Sequence, residues 1–127
     1  MPTHVDLLSC TSASGQVSGS KTYTAEGEEV FDIAVPAPST NMQVDLAIDV
    51  STVKSIILHS DRDMTLKFNN STTPVPEIAL KAGVPYIWNT DAYNTLLLTA
   101  DVTVLFLTLA AGVAATLKIR CLVDPTP

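Results

Sequence analysis

The densest set of residue types able to do chemistry is His59-Ser60-Asp61-Arg62-Asp63. A hydroxyl, an imidazole and carboxylates are the parts of a nucleophilic relay, which needs three side chains within hydrogen-bond reach in a set order. Adjacent residues of a strand point to opposite faces, so His59 and Ser60 do not meet in an extended segment, and a polar strand end entering a turn accounts for the cluster. Asp61 and Asp63, joined by Asp91 or Asp101, offer the oxygens that Ca²⁺ prefers, but the dense Asp/Asn/Gly spacing of a dedicated loop is missing and Arg62 reads as a local charge partner. Glu26, Glu28 and Glu29 contain the carboxylates of an acid pair for glycoside chemistry and read more simply as a solvated turn. Tyr86 and Trp88, two residues apart on one face, form with Tyr93 a candidate platform for stacking a sugar. His4 lies near the N-terminus with no marked partner. These residues assign no catalytic, cofactor-binding or metal-ligating role, so the expectation is a protein that is not an enzyme and carries no cofactor.

A chain of 127 residues holds one domain, expected over residues 1–127. Charged residues make up only 16% of it, against roughly 25% in ordinary soluble domains. With 7 basic and 13 acidic residues the net charge is -6, which argues against a nucleic-acid backbone or an anionic membrane as partner. The first residues lack the basic region and apolar run of a signal peptide, so synthesis in a cytoplasm is expected. Val102 to Leu117 is uncharged, but its 16 residues fall short of the roughly 20 that span a bilayer. Thr103, Thr108, Gly112 and Thr116 suit two strands and a turn instead. Cys10 and Cys121 would close a very long loop if bridged, and without a secretion signal two buried free thiols are the simpler expectation. They and the two histidines have no spacing for a zinc site.

No stretch of a dozen residues keeps a helical apolar period free of proline and β-branched runs. Thr, Val and Ile dominate short alternating runs broken by Gly, Pro, Asn, Asp and Ser, the pattern of a sandwich or barrel. The expected strands are Thr3 to Cys10, Lys21 to Ala25, Glu29 to Val35, Met42 to Ile48, Val53 to Ser60 and Met64 to Phe68. Glu77 to Lys81 and Pro85 to Trp88 read as a hairpin about Ala82-Gly83-Val84, and Thr95 to Thr99, Val102 to Leu109 and Ala114 to Val123 follow. Thr11 to Ser20 and Asn69 to Pro74 read as loops. In the last strand Ala115, Leu117, Ile119, Cys121 and Val123 share one face and Thr116, Lys118, Arg120 and Leu122 the other. Val102 to Leu109 is apolar on both faces, with Val104 and Phe106 on one and Leu105, Leu107 and Leu109 on the other. A second cover is therefore expected over one of those faces, by a loop or, preferably, by another subunit, which makes Val104, Leu105, Phe106 and Leu107 the candidates for self-association.

The run from Thr103 to Arg120, through Leu109-Ala110-Ala111-Gly112-Val113-Ala114, resembles the closing hairpin of small tailed-bacteriophage virion proteins, and the ending Cys121 to Pro127 with Ile87-Trp88-Asn89 has the same character. The resemblance is to the capsid cement or decoration proteins and covers the last half of the chain. It implies an all-β, jelly-roll-like antiparallel sandwich of about eight strands, a homotrimer, a major capsid protein as partner, and a place on the virion surface. No residue role is carried over with it. A carbohydrate- or host-surface-binding module and a tail or fibre component are the alternatives.

Overall fold

The computed structural model describes residues 1–72 and 77–124. The end of the loop expected at Asn69 to Pro74, and the chain end at Pro127, lie outside them. Among the described residues ten strands form: β1 (Thr3–Ser12), β2 (Gly15–Thr24), β3 (Gly27–Val35), β4 (Ser39–Ile48), β5 (Val53–Ser60), β6 (Met64–Phe68), β7 (Glu77–Leu80), β8 (Tyr86–Asn89), β9 (Val102–Leu109) and β10 (Ala115–Val123). The chain from β3 to β10 is one long antiparallel ribbon closed at β6–β7, in which β3 pairs with β10, β4 with β9, β5 with β8 and β6 with β7. The ribbon is rolled so that β10 also pairs with β5 and β9 with β6. Two four-stranded sheets result, in the orders β3-β10-β5-β8 and β4-β9-β6-β7. The expected all-β sandwich is thus the architecture of this body, and all its strand pairs are antiparallel.

Alternation decides what each strand buries. From β10 the core takes Ala115, Leu117, Ile119 and Cys121, from β5 Ile56 and Leu58, and from β6 Met64, Leu66 and Phe68. In β9 it takes Leu105, Leu107 and Leu109, the first two with 0% exposure. Those two candidates for self-association are therefore inside the sandwich, because the three leucines face the opposite sheet. Val104 and Phe106 point outward, half-buried, beside Gln43 and Asp45 of β4 and Lys67 of β6, so their face is a mostly polar one.

Four local expectations give way to tertiary structure. Thr11 to Ser20 is not a loop: β1 and β2 form a ten-pair hairpin in unbroken register from Thr3↔Thr24 to Ser12↔Gly15, turning at Ala13-Ser14. Gly15 takes φ 121 there, a value open to glycine and costly to other residues. β7 and β8 are not a hairpin but lie in different sheets, joined through one isolated bridge, Lys81↔Val84. β9 and β10 likewise cross between sheets instead of closing a hairpin. Thr95 to Thr99 forms no strand; Leu98 drops into the core, 3% exposed. The cysteines are free, but only Cys121 is buried.

The division of β9 has a direct test in urea unfolding. Leu107→Ala should cost about 2–5 kcal/mol, as for a fully buried leucine, whereas Phe106→Ala should cost clearly less. Equal losses would place both faces of β9 in the core.

Candidate functional site

Among the described residues β1 and β2 pair with no other strand. They form an arm that crosses the outer face of the β3-β10-β5-β8 sheet and runs past strand β8. The root is tied down by polar side chains. His4 Nε2 lies 2.6 Å from Glu28 Oε2 and His4 Nδ1 lies 3.0 Å from Ser55 Oγ. The Ser55 hydroxyl also reaches Asp6 Oδ2 at 3.3 Å, and Asn89 Nδ2 donates to the same oxygen at 3.1 Å. Farther along, Lys21 Nζ donates to Asp91 Oδ2 at 2.6 Å and Tyr23 OH donates to it at 3.0 Å. Under this network Tyr23 and Ala25 pack on Leu122, forming a second small core. The outward apolar side chain of Leu122 is thus covered by the chain's own arm.

One irregularity in β5 makes the root possible. Lys54 is an extra residue against β10, since Leu122 pairs with Ser55 and Val123 with Val53. The bulge lets Val53 and Ile56 both face the core while Ser55 faces the arm.

A serine, a histidine and a glutamate in hydrogen-bonded sequence have the order of an acyl-transfer relay. Ser55 is only 1% exposed, however, and its hydroxyl is shared with Asp6 under the arm. The set is built as an anchor. Sequence spacing gave no sign of it, since His4, Glu28 and Ser55 come from three strands that only the rolled ribbon brings together.

The positions singled out from sequence go elsewhere. His59 faces outward opposite Lys118, while Ser60 faces inward and donates to the Arg62 carbonyl at 2.6 Å. Asp61 Oδ1 accepts from the Thr116 amide and Asp63 Oδ1 from the Ala82 amide, both at 2.9 Å. Arg62 is not their charge partner: its guanidinium donates to the carbonyls of Ala110, Ala111 and Val113 around Gly112. Among the described residues no three His, Cys, Asp or Glu side chains converge on a metal-sized space. Glu28 faces the arm, whereas Glu29, next along β3, turns toward Cys121 and Asp49. Burial and then Asp49 raise the Glu29 pKa, and its Oε2 has no hydrogen-bond partner among the described residues. Burial, then Glu29 and Glu28, push the Cys121 thiol up to about 12.

Tyr86, Trp88 and Tyr93 do not share a platform. Tyr86 and Trp88 pack against the core. The Tyr86 hydroxyl accepts from the Leu97 amide at 3.2 Å, and Trp88 Nε1 donates to the Asn94 carbonyl at 3.0 Å. Tyr93 stands free in solvent. It borders a cleft of about 860 Å³ between the arm and β8. Leu8 and Gly19 of the arm, with Val84, Pro85, Ile87 and Tyr93 of the body, form its apolar part, and Asp6, Lys21, Asn89 and Asp91 close the end at the root.

No family model, no curated protein and no solved structure matches the chain.

The root carries a pH dependence. Hydrogen bonds from Lys21 and then Tyr23 hold the Asp91 carboxyl below 3.8, and Asp91 holds Lys21 above 10.5. Burial and then Asp91 raise Tyr23 above 10.0. The Asp91 contribution is present above pH 3.8 and is lost as pH falls through its lowered folded value. Those of Lys21 and Tyr23 are present at neutral pH and are lost as pH rises through their raised folded values. Amide protection in residues 19–24, taken relative to the intrinsic exchange rate at each pH, should therefore be greatest between these limits. Asp91→Ala should speed exchange there at pH 7 while leaving β9 and β10 protected; unchanged exchange in residues 19–24 would remove the anchor. In the native protein a thiol reagent at pH 8 should modify Cys10 within minutes and reach Cys121 only after unfolding. Rapid reaction of two thiols would contradict the burial of Cys121.

Proposed function

We propose that the chain is a structural protein of a virus particle, a capsid cement or decoration protein of the tailed-phage kind, working through contacts and not through turnover. The observation that carries this reading is the arm. Residues 7–20 contain no Asp, Glu, Lys or Arg, and Leu7, Leu8 and Val17 expose 64%, 65% and 78% of their surface. Isolated two-stranded ribbons are marginal in water, and a long charge-free one with exposed leucines has the properties of a segment meant to be covered. A rigid sandwich holding such an arm at a fixed angle is suited to bridging neighbours in a shell.

The strand order supports the same reading. A single ribbon rolled into sheets β3-β10-β5-β8 and β4-β9-β6-β7 is read here as a jelly roll, an architecture used by shell proteins and also by lectin domains. Architecture alone does not choose between them. The sugar-binding alternative loses support because Tyr86 and Trp88 have their polar atoms engaged inside the body, which leaves Tyr93 alone to stack. The partners in this reading are a major capsid protein and further copies of the chain, as a homotrimer on the head surface.

Binding to isolated particles tests it. Purified protein should co-sediment with phage heads stripped of it, and gold-labelled antibody should mark the head and not the tail. Removing residues 9–18, beyond the last arm pair that lines the cleft, should weaken binding about tenfold or more. Label confined to the tail, or head binding indifferent to the deletion, would overturn the reading.

A further inference from the structure

The pair Leu8↔Gly19 is the last part of the arm to line the cleft. Four pairs follow, Ser9↔Ser18, Cys10↔Val17, Thr11↔Gln16 and Ser12↔Gly15. At about 3.3 Å per residue they carry the tip roughly 13 Å past the pair that lines the cleft. Facing residues of an antiparallel pair share a face, and residues two apart along a strand do so too. Leu8, Cys10 and Val17 therefore lie on the face that His4, Asp6 and Tyr23 turn toward the body. That face overhangs the side of β8, a strand that among the described residues pairs only with β5.

We propose that the overhanging arm tip docks against the β8 side of a second copy of this chain, on Val84, Pro85, Ile87 and Tyr93, each copy giving one arm and receiving one. Charge selects the occupant. Two molecules of net charge -6 repel, so copies meet best through surfaces that carry none, and both halves of this contact qualify. The tip has no ionisable group except Cys10, and the receiving residues Val84, Pro85, Ile87 and Ala92 are uncharged, with Tyr93 beside them.

Size argues for reciprocity. A stable interface buries about 800 Å² per partner, and a short two-stranded tip is a small surface. Giving and receiving an arm at once doubles the contact without any new surface. The exposure pattern agrees: Leu8, Val17, Val84 and Tyr93 are among the most exposed large hydrophobic residues described, at 65%, 78%, 59% and 106%. Each would be covered in one event.

This docking uses the same arm as the proposed function but is read in solution without a shell, so its failure and the failure of that reading are distinguishable. Two chains are mixed under mild oxidant: the unaltered protein, in which Cys10 is the exposed thiol, and a tagged chain carrying Cys10→Ser and Tyr93→Cys. A bond between Cys10 and position 93 can then form only between molecules. As a control, Tyr93→Cys is replaced by Val113→Cys, which is 74% exposed and lies on the β9–β10 connection away from the cleft. The mixed disulfide should form about tenfold faster or more with Tyr93→Cys than with the control. Light scattering should give a multiple of 13.5 kDa, and Val17→Asp, at an exposed position that leaves the body intact, should return the mass to a single chain. Equal cross-linking rates, a monomer at every concentration, or an assembly indifferent to Val17→Asp would each overturn the proposal.

Discussion

Strand β10 pairs with β3 along one edge and with β5 along the other, and this double pairing turns an extended ribbon into a closed two-layer body. β9 does the same between β4 and β6. The two central strands must therefore satisfy hydrogen bonds on both edges and packing on at least one face. Their alternation fixes the register: a slip of one residue in β10 would carry Lys118 and Arg120 inward and Leu117 and Ile119 outward. Arg120 stays outside, where it donates to Asp32 at 2.9 Å and, more weakly, to the Phe31 carbonyl at 3.3 Å. Burying that group unpaired would cost far more than a misplaced leucine. The extra residue Lys54 is the one departure from regular pairing on β10, and it lies where the arm must be received.

Rolling a ribbon this way sends consecutive strands across the sandwich everywhere except at β6–β7, and each crossing leaves backbone groups without ladder partners. Several acidic and amide side chains supply the acceptors. Asp101 takes the Val50 amide at 3.0 Å, Asp49 takes Ser51 at 3.1 Å, Asn69 takes Thr103 at 2.8 Å, and Asp61 and Asp63 serve Thr116 and Ala82. Arg62 performs the converse service for the carbonyls at the β9–β10 crossing. Residues that look catalytic in the sequence thus have a structural explanation: in a low-charge chain, carboxylates gather where connections need acceptors.

Pattern and topology explain what the sequence made legible. The faces of β10 and the extents of β5, β6 and β9 were readable because a packed core imposes a period of two on them. The arm was not, since Thr11 to Ser20 has no core to alternate against and its Ser and Gly residues imitate a loop. Ala82-Gly83-Val84 resembles a hairpin turn because Ile78 and Leu80 on one side and Tyr86 and Trp88 on the other all need burial. Nothing local says that they reach one core from opposite sheets. Thr95 to Thr99 has strand-like residues, yet the Leu97 amide is held by the Tyr86 hydroxyl instead of a ladder. The root of the arm was the least legible part, because its three principal residues are 24 and 51 positions apart.

The arm combines two segments with opposed physics. At its root, aromatic burial and charge-assisted hydrogen bonds hold the ribbon to the sandwich. Beyond Leu8 each residue loses about 1–2 kcal/mol of backbone freedom on ordering, while a ladder hydrogen bond returns roughly 1 kcal/mol. Exposed side chains in that stretch add nothing from burial. The tip is therefore the part of the molecule whose order depends most on being covered, and covering it is worth most to the chain that supplies it. A firm root makes this useful: it fixes direction and register before contact, so binding orders only the tip and loses less freedom than docking a loose tail would.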